Sequence, residues 1–482
     1  MSAPYFDVVV IGGGLAGLAA ANRCTESGLS VGVLERGAEE QYACNSRLAM
    51  GFMTVAREDI RSGVENLRGA IQSVTRGHTD PRLAEVLAQN AGRALTWLAR
   101  QGVRFIQFGG RFFPGRRALL VPTVPLRPGL NWSGRGADVM LRRLLRNLKE
   151  QRGNFLPGVR ACELAMESGR CVGVVALRGD EVIIVRADAV VIADGGFQAN
   201  PDLLRRYITP RPTRLLQRNA GTGTGDGVAM GEAVGALLSG MDKFYGHVQS
   251  RDAMTNPSLW PYPTVDFPIT GGIAVDSRGR RFADEGLGGI FMANAIARLD
   301  DPLEATAIFD HAIWEGRARS FLIPTNPHLL RSGGTLYQAS TLVELAAAAG
   351  LPAQGLKATV ADFNRAVEAG LTERLEPARS TRPYAPVPIR IPPFYAVPLC
   401  AGITYTMGGL GVDGHCRVKH RAGHIIEGLF AAGCTTGGLE GGPYAAYTGG
   451  LSKALVFGLL AGEAIAAERG RGEARPSAAM AN

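Results

Sequence analysis

Residues 6–35 read FDVVVIGGGLAGLAAANRCTESGLSVGVLE. Val8, Val9, Val10 and Ile11 form the unbroken apolar run of a parallel strand buried on both faces. Gly12-x-Gly14-x-x-Gly17 follows at once and opens an Ala- and Leu-rich helical stretch. Gly12 permits the tight turn, Gly14 lets backbone come close to a pyrophosphate, and Gly17 lets the helix lie on the strand. The free amides at that helix start, with the positive end of the helix dipole, suit phosphate. A second apolar run, Val31–Leu34, ends at Glu35, 23 positions after Gly12, where a carboxylate accepts both ribose hydroxyls. Three glycines alone are weak evidence, and a Gly-rich turn in a nucleotide-free α/β domain is the plain alternative. Strand, glycines, helix, strand and acid in that order make it the poorer one. The unit is read as a dinucleotide-binding βαβ.

At 482 residues the chain has room for two or more domains, or for one large domain with an insertion. Apolar content of 46% and charged content of 20% fit a soluble globular protein. The net charge is +9, but the arginines are scattered and no basic run with interleaved aromatics occurs, which argues against nucleic acid as a partner. Seven dispersed cysteines show neither CxxC nor zinc-type spacing, the pattern of reduced thiols in a cytoplasmic enzyme with no metal site. The first strand starts too close to Met1 for a signal peptide. Ala454–Ala467, interrupted by glycines and Glu463, is too short for a membrane span, so no membrane insertion is expected.

Thr79-Asp80-Pro81 reads as a helix start, and Leu83, Val86, Leu87, Ala91, Ala94, Leu95 and Leu98 then share one helical face. Ala137–Glu150 reads as a basic helix, residues 159–164 and 171–177 as short strands, and Ala189–Ile192 as a buried strand. The texture changes near Lys243. Residues 251–272 hold four prolines with Trp260 and Tyr262, and residues 304–380 read as helical and Ala-rich. Gly-rich strand–turn–helix texture returns near Pro392 and ends in a helix over Leu451–Glu468. The division expected is 1–242 and 386–470 for the nucleotide-binding domain, 243–385 for an inserted second domain, and 471–482 for a disordered tail.

Three later segments carry a family resemblance. Ala189–Asn200, AVVIADGGFQAN, resembles a strand–turn of flavoproteins that hold FAD in a two-domain fold. Asn219–Met230, NAGTGTGDGVAM, resembles the turn before the inserted capping domain of the succinate dehydrogenase/fumarate reductase flavoprotein superfamily. Leu429–Gly438, LFAAGCTTGG, is similar to the segment of that family that passes the ribityl chain. Gly271–Glu285 and Pro393–Gly409 match further landmarks, so the resemblance covers nearly the whole chain. Soluble members include fumarate reductases, tricarballylate dehydrogenases and 3-ketosteroid dehydrogenases. The resemblance implies an α/β chain: a glutathione-reductase-like Rossmann FAD-binding domain with an inserted α+β capping domain that moves over the flavin.

The resemblance also implies the FAD contacts. They are Gly12, Gly14, Leu15, Ala16 and Gly17 at the first turn, and Glu35 with Arg36 at the second strand end. Asn45, Ser46, Arg47, Gly51 and Val159 come next, then Ala193, Asp194 and Gly195. Asn219, Thr222, Gly225, Asp226, Gly433 and Cys434 follow. Gly449, Gly450, Leu451 and Ser452 open the last helix, whose amides stabilise negative charge on the flavin N1–C2=O edge. Membrane-bound members attach FAD through a histidine where this chain has Asn45 and Ser46, so noncovalent FAD is expected. Cys434 replaces the family's usual Glu.

Family chemistry moves hydride between flavin N5 and carbon while a proton is handled on the other side. Fumarate reductases place an arginine after the landmark that here reads Arg281-Phe282-Ala283-Asp284-Glu285; this chain continues Gly286-Leu287-Gly288-Gly289. Their histidine pair and second arginine are likewise replaced, by Thr404-Tyr405-Thr406-Met407 and Ala446-Tyr447-Thr448. That argues against fumarate and for a less acidic, more apolar substrate. Tyr405 is the leading catalytic candidate, with Tyr447 and His247 behind it and Tyr444 in the same aromatic set. Tyr395 and His311 read as packing or surface residues, and Arg116, Arg117 and Arg251 as carboxylate binders or solvated charges. The function expected is an FAD-dependent dehydrogenase or reductase acting on a C–C or C=C bond beside a carbonyl or carboxylate. A flavin monooxygenase or oxidase, or a flavoprotein subunit serving a separate electron donor or acceptor, are the alternatives; oligomeric state is left open.

Overall fold

The computed structural model describes residues 4–107, 134–259, 263–320 and 323–469 in full, and the backbone alone of 108–110, 113–120 and 470–473. The side chains of Arg116 and Arg117, residues Trp260 and Tyr262, and the tail from 474 onward lie outside the described residues.

The apolar run after Tyr5 forms β1 (Tyr5–Ile11), and the helix behind the glycines is α1 (Leu15–Glu26). β2 (Val31–Glu35) is buried at every position, as a central parallel strand requires. Asp80 caps α2 (Pro81–Arg100), accepting from the Arg82 amide at 2.8 Å, and Pro81 fills the first turn where no donor is needed. Leu83, Leu87, Ala91, Ala94, Leu95 and Leu98 are buried on its inner face, while Val86 is only half-buried. Downstream lie β3 (Asn154–Pro157), β4 (Glu181–Ile192), β5 (Phe244–Ser250), β6 (Phe394–Thr406), β7 (Ile425–Ala431) and the final helix α3 (Gly450–Glu473).

The first sheet runs β7-β4-β1-β2-β3, with Arg417–Lys419 beyond β7, and its five core strands are all parallel. Val10 lies opposite Val33 on one side and Val191 on the other. The strands expected over 159–164 and 171–177 are longer, Val159–Glu167 and Arg170–Arg178, because Ser168 and Gly169 both take positive φ and close a tight hairpin. In the second sheet β6 is the hub, pairing with β5, Thr306–Asp310, Tyr337–Ala339 and Leu216–Gln217. The 304–380 stretch is therefore not all helical: Thr306-Ala-Ile-Phe-Asp310, with a β-branched and aromatic centre, is a fully buried strand.

Two hydrophobic cores result. The first joins β1, β2, β4, α1, α2 and α3. The second is not confined to 243–385: it also takes Phe197, Leu204, Leu215 and Val228 before that segment and Leu399 and Ile403 after it.

Candidate active site

The parallel strands end together, and the crevice beyond their carboxyl ends is where such sheets bind ligands. Gly12 has φ of +102°, and a Cβ there would lie 2.6 Å from the Ala193 carbonyl oxygen. A Cβ on Gly17 would lie 1.9 Å from the Gly12 carbonyl oxygen, so α1 approaches β1 only through glycine. At Gly14 the nearest atom is Ser46 Oγ at 3.4 Å, which leaves open room over the helix N-terminus. Ser46 Oγ already accepts from the Leu15 amide at 3.1 Å and marks the anion position. Glu35 accepts from the Gly13 and Gly37 amides, each at 2.8 Å, which orients its carboxylate and leaves lone pairs for ribose. Burial pushes its carboxyl upward. Burial likewise raises Asp194 to about 6, against the amide of Gly227 that it accepts at 2.7 Å.

These groups border one cleft beyond the strand ends, a concave site of the kind that holds cofactors. Its wall contains Gly12, Gly14, Leu15, Ala16, Glu35, Arg36, Asn45, Ser46, Val159, Ala193, Asp194, Gly195, Thr222, Asp226, Gly433 and Cys434. An acid at a strand end, free helix amides and a glycine cradle are the donor set that an FAD diphosphate and ribose need. Arg160, which pairs with Asp226 at 2.8 and 2.9 Å and stands in no sequence motif, also borders it, as does Gln198 of the Ala189–Asn200 landmark.

Nine expected contacts lie off that wall. Gly17 serves packing, as above. Arg47 is a correction: it is fully buried, its guanidinium is ion-paired with Asp138, and it stacks 4.4 Å over the Tyr42 ring. A buried carboxylate holds the charge that the sequence reading assigns to the cofactor. Gly51 has positive φ within the turn before Phe52–Val55. Asn219 braces its own loop, accepting from the Gly221 amide and donating to Ile403 O. A Cβ on Gly225 would meet Phe197 at 2.7 Å. At the start of α3, a Cβ on Gly449 would lie 2.2 Å from Thr54 O, Ser452 donates to the same oxygen at 2.8 Å, and Leu451 packs on the first core. Gly450 would meet the Tyr405 ring at 3.0 Å.

That last contact leads into an aromatic cluster. β5 pairs antiparallel with β6, setting Tyr245 opposite Tyr405. Tyr245 stacks on Tyr447 with ring centres 4.3 Å apart and leans on Tyr405 at 5.2 Å. The cluster thus brings together Tyr405, Tyr447 and His247, and adds Tyr245, Asp266 and Glu440, which sequence reasoning passes over. His247 meets Tyr245 Oη through Nε2 at 3.0 Å and Asp266 through Nδ1 at 2.5 Å. Tyr405 Oη donates to Glu440 at 3.1 Å, and Glu440 is held by the Thr448 amide at 2.9 Å and by Lys453 at 3.5 Å. The Tyr447 hydroxyl accepts from the Gly450 amide at 3.3 Å. Burial lifts the Tyr405 and Tyr447 phenols well above their ordinary range and Tyr245 in the same direction. Neutral phenols donate hydrogen bonds and do not act as free bases.

The rest of the aromatic and cationic set lies elsewhere. Tyr444 carries the Arg76 guanidinium over its ring at 3.9 Å. His311 meets Tyr395, a member of the second core, at 3.3 Å, and Arg251 donates to the Leu303 carbonyl. Ala56 and Arg57 both take positive φ in the hairpin turn after Phe52–Val55, and Arg57 reaches Tyr384 Oη at 3.0 Å.

Sequence comparison places these features in a family. The family model described as FAD binding domain matches residues 7–446. The chain belongs to this family. It is an FAD flavoprotein of the succinate dehydrogenase/fumarate reductase superfamily. It is 29% identical over 374 residues to NADH:acrylate oxidoreductase of Vibrio harveyi, covering 75% of this chain but 34% of that protein's length. It is 27% identical to fumarate reductase (cytochrome) of Shewanella frigidimarina, over 96% of this chain and 78% of that one. The fold matches 3-ketosteroid-Δ4-(5α)-dehydrogenase of Rhodococcus jostii RHA1, solved with 4-androstene-3,17-dione, at TM-score 0.72 and 24% identity, covering 96% and 97% of the two chains. Among the described residues one helical stretch, Gly450–Arg469, is long and apolar enough to span a membrane, but 61% of it is buried against the first core.

Proposed function

We propose that the chain is a flavin-dependent oxidoreductase that adds or removes two hydrogens across a C–C bond beside a carbonyl or carboxylate. The observation that carries this reading is the convergence of Tyr245, Tyr405, Tyr447 and His247 at the N-terminus of α3. Bound FAD supplies a two-electron carrier that exchanges hydride at N5. The chain supplies the rest. Tyr447 accepts from Gly450 and keeps its own O–H to donate to a substrate carbonyl, which polarises the adjacent bond. Tyr405 spends its O–H on Glu440, so its part is to form the pocket wall. In the stretch where fumarate reductases carry an arginine, Gly288 and Gly289 make room for Tyr384 and for the carboxylate of Asp266. An acid there disfavours a dicarboxylate. The 243–385 segment acts as the cap, and electrons enter or leave through a separate donor or acceptor.

FAD is held noncovalently, because Asn45 and Ser46 stand where membrane-bound members carry the attaching histidine, with Asn45 tied to Thr404 O and the Ala220 amide and Ser46 to the Leu15 amide. Acid precipitation should leave the yellow cofactor in the supernatant; colour in the pellet refutes this. The activity is tested by reducing the holoprotein anaerobically with light and mixing it with cyclohex-2-enone, acrylate, fumarate or oxygen. Fast return of the oxidised flavin spectrum with enone or acrylate supports the reading. Fast return with oxygen alone points to an oxidase and overturns it.

A further inference from the structure

We propose that Tyr245, His247 and Asp266 form a proton relay for this pocket, with Tyr245 exchanging the proton with substrate and Asp266 positioning the imidazole; this rests on the reaction proposed above. Residues two apart on a strand share a face, so β5 sets Tyr245 and His247 side by side. Gly246 between them allows this: a Cβ there would lie 2.0 Å from Gly402 O, so β5 closes on β6 only at a glycine. Asp266 is fixed independently. Its Oδ1 accepts from the Val248 amide at 2.8 Å, and Gly289 leaves space for the carboxylate, where a Cβ would lie 2.0 Å from Asp266 Cγ. Its Oδ2 is thereby aimed at His247 Nδ1. Donation of Nδ1–H to the carboxylate leaves Nε2 as the acceptor for the Tyr245 phenol, the arrangement by which a base activates a hydroxyl.

The surroundings suit transfer rather than bracing alone. The His247 side chain is 20% exposed, so the ring exchanges protons with solvent, and Tyr245 beside it is half-buried. Burial raises the Tyr245 phenol, and the cations Arg218 and Arg57 oppose it while Asp266 and Glu440 reinforce it. In dehydrogenation the substrate C–H bond beside the carbonyl breaks and its proton goes to Tyr245 Oη. The former phenol proton passes to His247 Nε2, and Asp266 stabilises the imidazolium. The neighbouring carbon loses hydride, both electrons going to FAD as oxidant, and the C=C bond forms. His247 then releases one proton to water. Reduction runs the same path backwards, with reduced FAD as reductant and His247 supplying the proton.

The test uses FAD-loaded Tyr245→Phe, His247→Gln and Asp266→Asn. The rate at which photoreduced protein is reoxidised by cyclohex-2-enone should fall by roughly 10²–10⁴-fold in the first two, with FAD content and photoreduction unchanged. Reduction consumes the proton, so the wild-type rate should fall as pH rises, and that limb should vanish in His247→Gln. Independently of turnover, ¹⁵N-histidine NMR of the holoprotein should show the His247 Nε2 signal displaced in Tyr245→Phe and the hydrogen-bonded Nδ1–H signal lost in Asp266→Asn. Unchanged His247 signals in both, or Tyr245→Phe within threefold of wild type with its pH limb intact, overturns the relay. If wild type is reoxidised by neither enone, acrylate nor fumarate, the proposed reaction fails, and the NMR arm alone decides the relay.

Discussion

A glycine can be required by what it would strike or by what it leaves empty. Gly12 and Gly17 are of the first kind, and Gly14 of the second, with only Ser46 Oγ at contact distance. Gly14→Val should therefore yield a folded protein, its circular dichroism and thermal midpoint close to those of wild-type apoprotein, that does not retain yellow FAD. Gly17→Val should not fold. Tyr405→Phe deletes the O–H that Glu440 accepts inside the protein and leaves that carboxylate short of a donor, at a cost of about 1–3 kcal/mol measured by denaturant titration. The glycine roles were legible because they depend on neighbours within one βαβ unit. The Tyr405 hydroxyl was not, because its acceptor lies 35 positions away on another loop. Tyr245 stands two positions before His247, and the period-two rule is enough to single it out; Asp266, 19 positions after His247, leaves no such trace.

Elements with local signals are where expectation and structure agree most closely. Asp80-Pro81 starts α2, and the apolar stripe behind it is the buried face. The hub strand β6 was harder to see, since four partners drawn from residues 216–339 give it its place and none of them sets a periodicity. Asn45–Leu48 shows how a short helix can turn a charge away from the cofactor. Arg47 points inward onto Asp138, which sits in the first turn of the helix Gly136–Glu150. Burial would raise the Asp138 carboxyl, but the Arg142 hydrogen bond, the Gly134 amide and the Arg47 charge together hold it low. A carboxyl lowered in the folded state contributes stability at pH above the ordinary carboxylate value of ~4, and that contribution is lost as pH falls through the folded value. Thermal midpoints should accordingly drop on acidification below pH ~4 more steeply in wild type than in Asp138→Asn. Arg47→Met should lower stability by about 3 kcal/mol at neutral pH, because a buried anion then keeps only the Gly134 amide and the half-exposed Arg142.

At the scale of the molecule, the chain builds two hydrophobic cores, and Arg57 at the hairpin tip meets Tyr384, 327 positions on. Cutting that contact should ease opening. Arg57→Leu is expected to increase quenching of flavin fluorescence by iodide with unchanged FAD content; equal quenching would show that the contact does not restrain the mouth. The insertion has a further effect, on how the protein is made. β4 pairs with β7 in the same parallel ladder, Val190 beside Leu429, 239 positions apart. At about 5–20 residues per second of synthesis, the ribosome takes roughly 12–48 s to cover that interval. Throughout it the nascent sheet shows an open edge at β4, and α1 lacks the α3 helix that covers it. Cofactor capture is therefore a late event in biosynthesis, and nascent chains stalled before residue 425 should bind no FAD however long they wait on the ribosome.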